Sequence, residues 1–181
     1  MPRLATLDPA EFTPEQQRIA EAITAGRGRL AGPFMPWMRS PELCDRAQHL
    51  GDFCRFHSSL EPVLSEFAII VTGKYWKSQY EFYAHARMAK EAGVAEAIVE
   101  AVRTGAEPPL EDERHKAIYA FVTEYFATHR VSDATYERAK AALTERGVVD
   151  LVGIVGYYGL VSMTLNVFEV ALPEGVPPPL P

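Results

Sequence analysis

The 181-residue chain is 48% hydrophobic and 23% charged. That is enough apolar surface to bury the core of one domain without disulfides or metals, and too much for a disordered chain. Eighteen basic residues against twenty-four acidic ones leave a net charge of −6, which repels phosphate backbones and anionic membranes, so neither a nucleic-acid nor a membrane partner is expected.

Along the chain, apolar residues recur at three- and four-residue spacing and period-two alternation is nearly absent, which predicts an all-α fold in a single domain spanning 1–181. The opening residues MPRLATLDPAEFT hold neither an apolar signal core nor an Arg-rich presequence, so a cytoplasmic address is expected. Thr13, Pro14 and Gln16 read as a cap, a first-turn proline and a capping-box partner for a helix ending near Gly26. The Gly- and Pro-rich stretch to Trp37 reads as a loop carrying exposed aromatics and roofing a pocket. Helices are expected over 40–57, 61–76, 78–92, 94–104 and 111–129. A helix capped by Ser132 should end at Gly147, another should run over 148–170, and the Pro-rich tail 173–181 should be extended. Cys44 and Cys54, on one predicted helix, would lie roughly 15 Å apart along its axis and cannot pair.

No charge falls between Asp150 and Glu169, a span just long enough to cross a bilayer. Its glycines, its polar residues and its lack of a cationic flank fit burial against other helices better. Those helices belong equally well to the same chain or to a second subunit.

The segment that carries chemistry is 77–92. At about 100° per residue, Ser78, Glu81, Phe82, His85 and Met88 share one arc, and the charged residues Arg87, Lys90 and Glu91 lie opposite. Glu81 and His85 therefore fall on the apolar face. Burial together shifts both groups and suits them to proton exchange near neutral pH. The plainer alternative is a core histidine satisfied by a neighbouring glutamate. One helix earlier, Glu66 stands among apolar neighbours and either orients His85 or faces solvent. Trp76 and Tyr80, with Trp37, Tyr75 and Tyr83, are candidates to line an aromatic pocket for a planar acid, with Arg55 or Lys74 as its anion clamp. Asp112 with His115, and Asp45 with His49, have metal-compatible spacing but are explained by solvated helix faces; no metal site is expected, and no phosphate or dinucleotide loop occurs.

The pattern Glu66-x11-Ser78-x2-Glu81-x3-His85 resembles the core motif of the carboxymuconolactone decarboxylase and alkylhydroperoxidase D superfamily. Gly32-Pro-Phe34, Arg55, Gly156-Tyr-Tyr158, Asn166 and Pro173-Glu-Gly175 add to the resemblance, which spans residues 30–175 in scattered motifs. It implies a helical subunit of the alkylhydroperoxidase D-like type that assembles into homotrimers or hexamers. The thiol branch of that family carries Glu-x11-Cys-x2-Cys-x3-His, and here both cysteine positions have changed, to Ser78 and Glu81. Dithiol peroxide reduction needs an attacking thiolate and a resolving thiol, and neither position supplies one.

The expected activity is therefore cofactor-free, decarboxylase-like acid–base chemistry on a small unsaturated or cyclic carboxylic acid. His85 would serve as acid and base, Glu66 or Glu81 would set its tautomer, and Ser78 would donate a hydrogen bond. The alternatives are an alkylhydroperoxidase D-like peroxidase, with peroxiredoxin activity, and an inert oligomeric protein that binds a small ligand.

Overall fold

The computed structural model describes residues 2–181, and among them helices are the only regular elements. A 3-10 turn, Pro9–Glu11, precedes α1 (Pro14–Arg27), α2 (Phe34–Trp37), α3 (Pro41–Asp52), a π-helical turn at Phe53–His57, α4 (Pro62–Tyr75), α5 (Gln79–Glu91), α6 (Glu96–Thr104), α7 (Glu113–Thr128) and α8 (Asp133–Val167).

The capping box forms as its residues require: Thr13 Oγ1 accepts the Gln16 N–H at 3.2 Å, and Gln16 Oε1 accepts the Thr13 N–H at 2.9 Å. α1 runs on through Arg27 and stops at Gly28, whose φ of 78° is the left-handed conformation that ends helices cheaply only at glycine. The following stretch is less loop-like than its composition suggests. It folds into the single turn α2, and Phe34 and Trp37 are buried rather than exposed. The Trp37 indole donates to Thr164 Oγ1 at 3.0 Å, so a hydrogen bond within the fold uses its polar edge.

α4 is apolar on every side and is buried continuously from Leu64 to Gly73. A helix without a polar face belongs at the centre, and α4 packs against α5, α7 and α8. α8 is two helical stretches joined end to end, with the joint displaced from the expected Gly147. Gly147 does not end a helix; it is buried with Leu143 and Leu60 close by, and the backbone breaks at Thr144 instead, with φ 70° and ψ 168°. The helix also ends at Val167, earlier than the apolar run suggests. By length and composition α8 could cross a membrane, but 67% of its most apolar window is buried inside the fold.

Two polar devices hold the periphery. Asp150, buried on α8, accepts both the N–H and the hydroxyl of Ser59 at 2.7 and 2.6 Å, pinning the turn before α4. The extended tail folds back so that Leu180 is buried, with Gln79 accepting its N–H at 2.9 Å and donating to its carbonyl at 3.2 Å. Close approach also requires Gly51 on α3, because a Cβ there would lie 2.1 Å from the Tyr157 hydroxyl.

Candidate active site

α4 supplies Glu66 and α5 supplies Glu81 and His85, all three buried to 6% exposure or less. A tight turn joins the two helices: Lys77 takes a φ of 51°, and the Ser78 N–H donates to the Gly73 carbonyl at 2.9 Å. This turn sets α5 antiparallel on α4, so a residue midway along each can meet. His85 Nδ1–H donates to Glu66 Oε2 at 2.6 Å. On the other edge of the ring, Nε2 lies 3.1 Å from Glu81 Oε1, but off the hydrogen-bonding axis, so that this oxygen has no aligned partner. Glu66 Oε1 is 3.9 Å from Arg55 Nε. The π-helical turn after α3 carries Arg55, and its extra residue breaks the 100° register. The Tyr158 ring sits edge-on to His85, with centroids 4.9 Å apart.

Burial opposes the charge on His85, but the nearby Glu81 and Glu66 carboxylates and the Glu66 hydrogen bond outweigh it, so the imidazole titrates above its usual 6.5. Glu81 is also raised, first by desolvation and further by the Glu66 charge, against the attraction of His85. Desolvation raises Tyr158 far above its ordinary value, so it keeps its proton as a donor.

Both His85 and Glu81 hold protons in the folded chain to higher pH than in the unfolded one, so stability falls as pH rises. The contribution of His85 is complete below about 6.5 and is lost as pH climbs through its raised folded value. The penalty from Glu81 grows from about 4.5 upward and levels off beyond its own folded value. Thermal melts between roughly pH 5 and 9 should therefore show a falling midpoint, with a shallower fall in Glu81→Gln; a slope unchanged by that substitution would contradict the assignment.

A cavity of about 110 Å³ opens onto this cluster, lined among others by Glu81, His85, Met88, Tyr80, Tyr158 and Arg55. The Tyr80 ring packs against Gly32, where a Cβ would lie 3.1 Å from its Cε1. Two predicted site residues lie elsewhere. Ser78 is fully buried, two turns from His85 or roughly 10 Å along the axis; its hydroxyl has no partner and does not line the cavity. Trp76 follows Glu66 by ten residues, which turns it to a different side of the α4 axis roughly 15 Å further on. It lines a separate apolar groove with Tyr125, Phe126, Gly156, Leu160 and Met163, of about 550 Å³. Lys74 Nζ donates to the Arg103 carbonyl at 2.8 Å, and the Tyr75 ring stacks on Phe126 at 3.8 Å. Arg27, Arg29 and Tyr157 also line the cavity. No local spacing links them to His85, and the pair Tyr157-Tyr158 in the uncharged run was their one sequence signal.

Cys44 and Cys54 are free and completely buried, and neither lines the cavity. Desolvation pushes the Cys44 thiol up to about 12 and the Cys54 thiol up to about 11, so neither is a thiolate near neutrality. Both should resist a disulfide-exchange reagent such as dithionitrobenzoate in the native protein and react once it is unfolded. Prompt labelling of the native chain would refute this. Among the described residues, no group of three His, Cys, Asp or Glu side chains is disposed to hold a metal ion.

No protein-family model matches the sequence, and no curated protein matches it. Solved structures do share its fold. A peroxidase-related protein of Ralstonia eutropha with an alkylhydroperoxidase AhpD core is 15% identical, with a TM-score of 0.80 over 96% of this chain and 93% of that one. A peroxidase-related protein of Silicibacter is 15% identical, with a TM-score of 0.77 over 94% and 91%. The debrominase Bmp8 is 12% identical, with a TM-score of 0.75 over 93% and 91%. The chain thus has the all-helical alkylhydroperoxidase AhpD-core fold.

Proposed function

We propose that this chain is a cofactor-free, cytoplasmic acid–base enzyme of the decarboxylase-like type, acting on a small unsaturated or cyclic carboxylic acid. One observation carries the reading: His85 is held between two buried carboxylates at the wall of a cavity, hydrogen-bonded to Glu66 through Nδ1 and with Glu81 3.1 Å from Nε2. Glu66 fixes Nδ1–H, which leaves Nε2 with Glu81 as the pair that gives or takes a proton. Where the acid also carries a conjugated lactone or ketone carbonyl, loss of carbon dioxide lets the electrons of the breaking C–C bond delocalise into that carbonyl as a dienolate. The Nε2–Glu81 pair then protonates the carbon, while the neutral Tyr158 hydroxyl supplies a donor for the enolate oxygen. Run without carbon dioxide loss, the same transfer isomerises a double bond.

The peroxidase-related names of the fold neighbours point to thiol chemistry, yet both thiols here are sealed and protonated. The test is incubation with small unsaturated acids in D2O, following deuterium entry at carbon by proton NMR and carbon dioxide release. Neither signal with any acid, alongside turnover of an organic hydroperoxide, would overturn the reading.

The enzyme is further proposed to be a homo-oligomer, a trimer or hexamer. Val149, Val152, Met163 and Val167 expose apolar surface along α8, and Gly153 and Gly156 leave open space between them. Val152→Glu should lower the mass measured by light scattering to that of a single subunit; a monomeric unsubstituted protein would refute the assembly.

A further inference from the structure

Three arginines reach the cavity, and they are not equivalent. Arg55 already faces a carboxylate, Glu66, at 3.9 Å. Arg27 is paired with none: among the described residues no Asp or Glu lies within ion-pair distance of it, its charge reaches Glu81 only across the cavity, and its Nη2 is buried without a hydrogen-bond partner. Its guanidinium carbon stands 5.2 Å from the Phe34 ring centroid and 5.8 Å from that of Phe56, so two aromatic rings hold the group in place. The helix end positions it, because Arg27 is the last residue of α1 and Gly28 then turns the chain over the cavity. Arg29, exposed on that same turn, adds a second cation at the rim.

A half-buried cation with no carboxylate in direct contact is costly unless a ligand supplies the charge. Glu81 and His85 lie on the wall of the same small space. The cavity is small, about 110 Å³, which suits a short ligand with one charged end.

We infer that Arg27, rather than Arg55, binds the substrate's carboxylate, and that the site takes a short monocarboxylate with its far end against His85. This rests on the acid–base reading only in taking the ligand to be an acid. Arg55 is then a positioning residue that acts through Glu66.

The probe is crotonate, with crotonamide as its uncharged counterpart, titrated into the full chain by calorimetry and followed by the His85 imidazole resonances. Crotonate should bind and shift those resonances. Arg27→Gln should weaken it about 10- to 100-fold, the range of a charge-assisted hydrogen bond, and Arg27→Lys should recover part of the loss. Arg55→Gln should weaken it less than about 3-fold, and crotonamide should bind the unsubstituted protein no better than Arg27→Gln. Unchanged melting of each variant establishes that it is folded.

Equal crotonate affinity in Arg27→Gln overturns the inference, as does a larger loss in Arg55→Gln or no binding to the unsubstituted protein. Deuterium exchange separates this from the broader reading. Exchange that depends on His85 while Arg27→Gln binds normally removes the clamp and leaves the chemistry. Crotonate held by Arg27 with no exchange of any acid removes the chemistry and leaves the clamp.

Discussion

Substituting His85 with glutamine should lower deuterium entry into a turned-over acid by about 10²- to 10⁴-fold, the usual contribution of a positioned acid–base group. Glutamine keeps most of the volume and can still donate toward Glu66, so the fold around α4 and α5 should survive and the loss should be chemical. Glu81→Gln should fall in the same direction, because it removes the group 3.1 Å from Nε2 that shares the transferred proton. Kinetics measured against pH tell a chemical effect from a packing effect: the limb that reports the His85 ionisation should vanish in the His85 variant. An unaltered pH profile at reduced rate would mean that the imidazole merely packs there.

Phe67→Ala should be the most destabilising single change considered, costing about 3–5 kcal/mol by transfer and cavity terms together. Phe67 is completely buried in the middle of α4, and its ring lies 5.0 Å from that of His115 and 6.4 Å from that of Tyr119, both on α7. For a chain of this length that loss is roughly 6–20 °C in Tm. The same helix carries Glu66 at the adjacent position, so the variant should also loosen the bond to His85. Calorimetric unfolding checks the first effect and the His85 resonances check the second; a melting shift below about 3 °C would show that the site collapses and refills.

The Glu81–His85 pair was legible in the sequence, because its geometry is local. Glu81 and His85 are one helical turn apart on the apolar arc, whereas Glu66, one helix earlier, was open between the site and solvent until the packing of α5 on α4 set it against Nδ1. The π turn at Phe53–His57 was not legible. Its residues continue a helical pattern, and widening of the backbone by one residue leaves no mark in side-chain periodicity. The joint in α8 was misplaced for a related reason. Gly147 looks like a stop signal, but packing against Leu60 holds it helical, and tertiary contact outweighs the ~1 kcal/mol propensity of a single residue.

Periodicity and capping residues alone were enough to establish an all-helical chain with a proton-handling pair on one buried face, since both follow from angles repeated every 3.6 residues. The partner of each pocket wall was settled only by folding. Arg27 comes to face His85 from 58 positions away because α1 ends where Phe34 and Phe56 receive its guanidinium, and Trp76 leaves the site because α4 turns it aside. Contacts between distant elements depend on how whole faces interlock, and no spacing within one segment encodes that.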